Sequence, residues 1–334
     1  MSIPLISRLP PLPAVRDLLN LYRLQAVKQL SQNFLLDPKL TNKLVSAAGK
    51  ITDGYVCEVG PGAGSLTRII LSRNVRQLIV VEKDKRFQPP LEMLAEASDN
   101  RMSVIWGDVL SHNLRNSFPQ ESSCDWNDVT PNIHIIGNLP FNIATPLIIK
   151  WLCAISERSD AWTHGRVRLT LTFQKEVAER MVAPIGTSER CRLSVMVQHL
   201  CHVQHKFTIP GRAFVPKPNV DVGVVHFTPL IVPKIKAPFS LVEKVARNTF
   251  SFRQKYCRRG LEMLFPTSMR AEQVQTLLRL ADVDGTLRPF ELSIEEFDRL
   301  CQAYSVILEK FPSLARYNSR STDGIDDILF AEQL

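Results

Sequence analysis

The chain has 334 residues, 45% of them apolar and 22% charged, with only 14 glycines, which excludes an extended disordered or fibrous protein and allows one large or two ordinary domains with substantial cores. Forty-one Lys and Arg against 33 Asp and Glu give a formal net charge of +8, a balance that favours an anionic partner without naming one. No apolar run reaches the 18 residues of a membrane-spanning helix, and the seven cysteines, odd in number and without a CxxC pair, point to a reducing compartment rather than to a disulfide framework or a zinc ribbon.

Residues 1–30 carry Arg8, Arg16, Arg23 and Lys28 against Asp17 alone, and Val15, Leu18, Leu19 and Tyr22 recur as the stripe of an amphipathic helix. Two readings stand: a mitochondrial targeting helix, or a helix that packs on the domain after it. From Tyr55 onward, apolar runs at 55–59, 78–82, 103–106, 133–137 and 167–173 alternate with helical stretches, which predicts a parallel sheet covered on both faces. Runs at 201–208 and 222–227 are expected to add a pair at one edge. No metal site is expected at the first of these: His199, Cys201, His202 and His205 fall on a strand-like segment whose alternation sends His202 to the opposite face from Cys201 and His205.

The segment Glu58-Val59-Gly60-Pro61-Gly62-Ala63-Gly64-Ser65 joins a strand to a helix through three glycines. Such residues let the backbone turn tightly and approach a ligand. The spacing is GxGxG after an acid rather than the GxGxxG of dinucleotide sites, which shifts the expectation from NAD toward S-adenosylmethionine. Glu82, at the end of the next strand, is placed either to accept the ribose hydroxyls of a nucleoside or to be a solvated strand end. Asp108, after Gly107 and a third strand, could accept from an adenine amino group, with the Val109 amide facing the ring, or could serve as a helix cap.

After the run at 133–137 comes Asn138-Leu139-Pro140-Phe141-Asn142-Ile143-Ala144-Thr145-Pro146. An Asn carboxamide oxygen and the Leu139 carbonyl can each accept one hydrogen of an exocyclic amine. Pro140 confines Leu139 to an extended conformation and brings no competing amide. Phe141, and Phe214 further on, could stack on the two faces of a base withdrawn from its helix, or be ordinary core. Thr145 and Pro146 are expected to cap and start a helix over 147–153.

Taken in order, these segments, with Ser31-Gln32-Asn33-Phe34-Leu35, Val81-Glu82-Lys83-Asp84, Gly107-Asp108-Val109, Phe173-Gln174-Lys175-Glu176 and Phe214-Val215-Pro216-Lys217-Pro218-Asn219-Val220-Asp221, resemble the S-adenosylmethionine-dependent ribosomal RNA adenine N6-dimethyltransferase family over roughly residues 31–229. Leu9-Pro10-Pro11-Leu12-Pro13 and Phe at 141 place the likeness nearest the mitochondrial branch. The resemblance implies a Rossmann-like methyltransferase sheet, an α/β fold, followed by a small C-terminal helical domain. The chain would divide into an extension at 1–30, a methyltransferase domain at 31–229 and an RNA-binding helical domain at 230–334. It further implies that Leu35, Gly60, Glu82, Lys83, Asp108, Val109 and Asn138 contact S-adenosylmethionine, and that Asn138, Leu139, Pro140 and Phe141 form the catalytic segment.

Past Pro233 the charge segregates. Residues 234–259 hold eight Lys or Arg and one acid, Glu243, whereas seven basic and thirteen acidic residues follow residue 260. Arg253, Lys255, Arg258 and Arg259 are expected either to contact RNA phosphates or to be a solvated face; Gln254 departs from the basic tendency of the mitochondrial branch. The 317–334 tail is expected to be loose. The activity implied is dimethylation of two neighbouring adenines in a hairpin near the 3′ end of mitochondrial small-subunit rRNA, by a monomer in the mitochondrial matrix acting on that rRNA or on the assembling subunit, with no membrane partner and no metal. A transcription factor working with mitochondrial RNA polymerase is the second reading. An NAD-linked oxidoreductase is the third, and it lacks a GxGxxG loop.

Overall fold

The computed structural model describes residues 9–26 and 32–320. Arg8, Lys28, Ser31 and the tail from 321 lie outside them, so part of the 1–30 extension falls outside the described residues. Within 9–26, α1 (Val15–Leu21) buries Leu18 and Leu19, Leu9, Leu12 and Val15 pack on the core around the sheet, and Arg68 donates to the Pro13 carbonyl. The stripe closes differently from its expectation: Tyr22 is 39% exposed, and Leu24 is the next buried residue. Whatever addresses the chain carries, this stretch is built into the folded unit.

The chain forms two compact units, the first from residues 1–179 and 202–231 and the second from 180–201 and 232–334. In the first, β1 (Phe34–Leu35), α2 (Pro38–Ala47), β2 (Tyr55–Val59), α3 (Ser65–Ser72), β3 (Gln77–Glu82), α4 (Gln88–Glu96), β4 (Met102–Trp106), β5 (Ile133–Gly137), α5 (Phe141–Glu157) and β6 (Arg168–Gln174) follow one another, with α6 (Lys175–Val182) leaving β6 directly. After the second unit's first segment come β7 (Cys201–Ile209), β8 (Phe214–Val215) and β9 (Val222–Pro229). Among the described residues seven strands make one sheet in the order β4-β3-β2-β5-β6-β9-β7, and β1 pairs with β8 in a two-stranded ribbon. The first five strands are parallel and β9 runs antiparallel to β6, so the late pair joins at one edge.

Sequence explains the layering. Every residue of β2 and β5 is buried, as central parallel strands between helices require, while β4 at the far edge is mostly half-buried. The registers then align the strand ends in one row. Val59 pairs with Val81 and Gly137, Val81 with Ile105, and Gly137 with Leu171. Gly60, Glu82, Asn138 and Thr172 therefore fall near one line at the carboxyl edge of the sheet, with Gly107 one residue past Trp106, the partner of Glu82, and with β6 continuing to Gln174. The chain order reverses between β2 and β5, the switch point at which open α/β sheets hold ligands.

One expected element is corrected. The helix placed at 147–153 begins at Phe141, and Pro146 lies inside it. The Pro140 carbonyl accepts from the Ile143 and Ala144 amides and starts the helix at once. Pro146 lacks only the amide that would reach back to Asn142, a loss tolerable near the start of a 17-residue helix.

The second unit is helical: α7 (Arg192–Gln198), α8 (Phe239–Thr249), α9 (Cys257–Leu261), α10 (Arg270–Ala281) and α11 (Ile294–Lys310). Residues 180–201, which the sequence reading gave to the methyltransferase domain, belong to it, because Val195 of α7 is buried with Val242, Phe265, Phe297 and Tyr304 in one apolar cluster. Ser293 and Glu296 form a reciprocal capping box at the start of α11. Gly260 lets α9 approach α8, since a Cβ there would lie 2.4 Å from the Thr249 carbonyl oxygen.

Candidate active site

Two cavities open along the row of strand ends, and they share Gln32, Gly60, Glu82 and Pro140. The first is lined by Leu35, Gly60, Glu82, Asn138, Leu139, Pro140, Phe141 and Phe214 among others. The second adds Lys83, Asp108 and Val109. Every residue expected to hold the cofactor or form the catalytic segment thus lines one cavity or both.

The glycine turn has the conformation that needs glycine. Gly60 and Gly64 have φ of +68° and +86°, and at Gly60, which lines both cavities, a Cβ would meet nothing within 4 Å, so the backbone there is open. Gly64 caps α3. Glu82 is buried rather than a solvated strand end, at 6% exposure. Its Oε2 accepts from the Gly62 amide at 3.0 Å and its Oε1 from the Asp84 amide at 2.8 Å, each oxygen keeping a lone pair for a ligand hydroxyl. Burial raises its pKa above the ordinary carboxylate value, with the backbone amides opposing that shift.

Asp108 caps a turn rather than a helix, and it pairs with a neighbouring lysine. One oxygen accepts from the Leu110 amide at 2.9 Å, a turn cap, and the other meets the Lys83 ammonium at 2.8 Å. That ammonium, followed by the Leu110 amide, holds Asp108 below the usual carboxylate range, so it remains a charged acceptor. Lys83 is largely exposed; the structure gives it a partner in Asp108. Deeper in, Glu58 has both carboxylate oxygens buried without a hydrogen-bond partner. Burial pushes its pKa up to about 8, opposed by the neighbouring Thr67 hydroxyl.

The catalytic segment is held by long-range contacts. Asn138 Nδ2 donates to the Asn33 carbonyl at 3.0 Å, and Asn138 Oδ1 accepts from the Thr172 hydroxyl at 3.1 Å. The carboxamide orientation is therefore fixed by its partners, and one lone pair of Oδ1 stays available. The first amides of α5 go to the Pro140 carbonyl, which leaves the Leu139 carbonyl outside the ladder that starts the helix. Phe141 is half-buried, whereas Phe214 is only 2% exposed and belongs to both core and cavity wall. Phe34, edge-on to Phe87 at 5.7 Å, Gln32 and Asn142 also line the cavities and were not singled out from sequence.

In the second unit, Lys255, Arg258 and Arg259 surround a concave surface with Gln254, Tyr256 and Arg288. Arg253 is half-buried and not part of this lining, and Arg259 is partly engaged by Glu262 at 2.7 Å. Tyr256, 50% exposed, and Arg288 join the cluster through folding. Among the described residues no group of three His, Cys, Asp or Glu could hold a metal ion, and no helix is long and apolar enough to cross a membrane.

A glycine turn at the switch point, a buried acid at the end of the next strand and an Asn-Leu-Pro-Phe turn beside them define a Rossmann-like methyltransferase that uses S-adenosylmethionine. The model of the family described as ribosomal RNA adenine dimethylase matches residues 23–298. The chain is 58% identical over 313 residues to human mitochondrial dimethyladenosine transferase 1, covering 94% of this chain and 90% of that one. It is 48% identical to the Drosophila melanogaster protein of the same name, covering 96% of each. Among solved structures, a dimethyladenosine transferase from Plasmodium falciparum superposes with a TM-score of 0.61 at 24% identity over 82% of this chain and 96% of that one. The 23S rRNA methyltransferase ErmE gives 0.56 at 22% identity over 82% and 100%; both likenesses concern the fold. The chain belongs to the ribosomal RNA adenine dimethylase family. It is an adenine dimethyltransferase of the mitochondrial type.

Proposed function

We propose that this enzyme transfers two methyl groups to N6 of each of two adjacent adenines in a hairpin near the 3′ end of mitochondrial small-subunit rRNA, in the matrix, during assembly of that subunit. The observation that carries the reading is the fixed Asn138 carboxamide, whose Oδ1 keeps one acceptor position beside the cavity. The amino group of adenine is conjugated with its ring and a poor nucleophile. Asn138 Oδ1 and the Leu139 carbonyl accept its two hydrogens and draw the nitrogen toward tetrahedral geometry, with its lone pair turned to the methyl donor. Bound S-adenosylmethionine supplies the methyl as an electrophile on a sulfonium. As the new N–C bond forms, the methyl–sulfur bond would break with its electron pair left on a neutral thioether, and the adenine nitrogen would become a transient ammonium, acidic enough to lose its proton to water, so placement and electrostatics supply the rate without a dedicated base.

The residues around the turn fit the cofactor. The open backbone at Gly60 and the Glu82 carboxylate suit its ribose and tail, and Asp108 with Val109 suits its adenine. Phe141 and Phe214 both line the first cavity, and a base entering it would stack against them, each stack contributing about 1 to 3 kcal/mol. Lys255, Arg258, Arg259 and Arg288 supply phosphate contacts, with Tyr256 available to a base. The test is incubation with methyl-labelled cofactor and a hairpin bearing two adjacent adenines, alone and within precursor small subunits, followed by nucleoside analysis. Label in N6,N6-dimethyladenosine, absent when the two adenines are replaced, is expected; unlabelled RNA in both substrates would refute the proposal.

A further inference from the structure

We infer that Thr172 is a positioning residue for the methyl transfer, setting both the carboxamide and the peptide that present the amine acceptors. β6 runs past the last residue of β5 paired with it, Gly137 opposite Leu171, and so sets Thr172 beside the first residues of the Asn-Leu-Pro-Phe turn. Its hydroxyl accepts from the Leu139 amide at 2.9 Å and lies 3.1 Å from Asn138 Oδ1.

The direction of both bonds follows from valence. The Leu139 amide can only donate, so it occupies a lone pair of Thr172 Oγ1, and the single hydroxyl hydrogen is left for Asn138 Oδ1, which can only accept. One hydroxyl thus pins the 138–139 peptide plane and the rotation of the Asn138 side chain together. Pro140 restrains the far side of Leu139. The Leu139 carbonyl is then held from both ends.

Packing alone does not call for this hydroxyl. Thr172 is fully buried in a strand between Leu171 and Phe173, both also buried, where Val would have the same shape and β preference. A buried hydroxyl is costly unless bonded, and among the described residues this one bonds to Leu139 and Asn138, both of which line the first cavity. Thr170, two positions earlier on the same face, bonds instead to His226 at 2.9 Å, so the connection to the turn is particular to Thr172. With its hydrogen on Oδ1, Asn138 offers the substrate one lone pair rather than two. Together with the Leu139 carbonyl, this gives two acceptors for the two hydrogens of an unmethylated N6.

The inference rests on the proposed roles of Asn138 and Leu139, and its test separates the two. Full-length Thr172→Val, Thr172→Ser, Asn138→Ala and the Thr172→Val/Asn138→Ala double variant are compared for kcat, for KM with RNA hairpin, and for cofactor affinity by titration. Thr172→Val is expected to lower kcat by about 10- to 100-fold, the effect of sub-ångström misplacement of a reacting group, with KM and cofactor affinity within about three-fold. Thr172→Ser, which keeps the hydroxyl, restores most of the rate. In the Asn138→Ala background, Thr172→Val costs less than in the parent, and the remaining loss reports the bond to the Leu139 amide.

Parental kcat in Thr172→Val, or equal losses in the Val and Ser variants, would overturn the role of Thr172 while leaving the site reading intact. Full activity of Asn138→Ala would instead overturn that reading. If Thr172→Val does not fold, the Ser variant and Thr172→Cys, whose thiol donates only weakly, decide. Loss graded from Ser to Cys supports the inference, and equal rates in the two contradict it.

Discussion

Replacing Gly64 by Ala isolates the feature that shapes the glycine turn. Gly64 sits at φ +86° and ψ 26° as the N-cap of α3, a left-handed conformation that costs an alanine about 1 to 2 kcal/mol. Its new Cβ would also fall 2.4 Å from Cδ1 of Leu94. Leu94, on α4, is fully buried in the core, so it cannot swing into solvent, and overpacking of this kind costs about 1 to 3 kcal/mol. The two effects sum to roughly 2 to 5 kcal/mol. Urea denaturation of the parent, Gly64→Ala, Leu94→Ala and the double variant separates them. In the Leu94→Ala background the clash is gone, and Gly64→Ala should cost only the conformational part, about 1 to 2 kcal/mol. An equal cost in both backgrounds would refute the steric part of the argument, and a cost near zero in the parent would refute all of it.

Glu58 makes stability depend on pH in a stated direction. Its folded pKa of about 8 lies above its ordinary value of 4.5, so its contribution is fully present below about pH 4.5 and is lost as pH rises through 8, by up to about 5 kcal/mol; Glu58→Gln should flatten the fall in Tm between pH 5 and 8.5, and an unchanged slope would contradict this. Glu82→Gln changes the acceptor proposed for the ribose hydroxyls and should weaken cofactor binding about 10- to 100-fold by titration, an unchanged affinity counting against that proposed role. Lys255→Ala and Arg258→Ala should each weaken hairpin binding and reduce the slope of log K against log salt by about 0.7 to 0.9 per lost phosphate contact; unchanged slopes would leave the cluster a solvated face.

Much of the fold was legible because its signals are local. The runs at 55–59 and 133–137 match β2 and β5 residue for residue, since strands buried on both faces are written as unbroken apolar stretches. The glycine turn was legible for the same reason, three glycines doing conformational work within five residues. The start of α5 was not, because Thr145-Pro146 has the chemistry of a helix start while the true start depends on the Pro140 carbonyl. Residues 180–201 cluster with 232–334 rather than with the sheet, and this was not legible because Val195 announces burial without naming the core it joins.

The site divides along the same line. Asn138, Glu82 and Asp108 stand at strand ends that the sequence marks. The bonds of Thr172 to Asn138 and Leu139, of Gln32 to Asp84 at 2.9 Å and of Lys83 to Asp108 join residues 25 to 52 positions apart or come from the sheet register, and no local pattern records them. Tyr256 and Arg288 likewise meet only in the folded second unit.

Single-turnover methyl transfer by Asn138→Ala at saturating cofactor and hairpin tests most directly whether Asn138 accepts from the adenine amine. Loss of a preorganised group aimed at developing charge lowers such rates by about 100-fold or more, and that fall is predicted with the RNA still bound. A rate within about three-fold of the parent, well under the loss expected for such a group, would contradict the account.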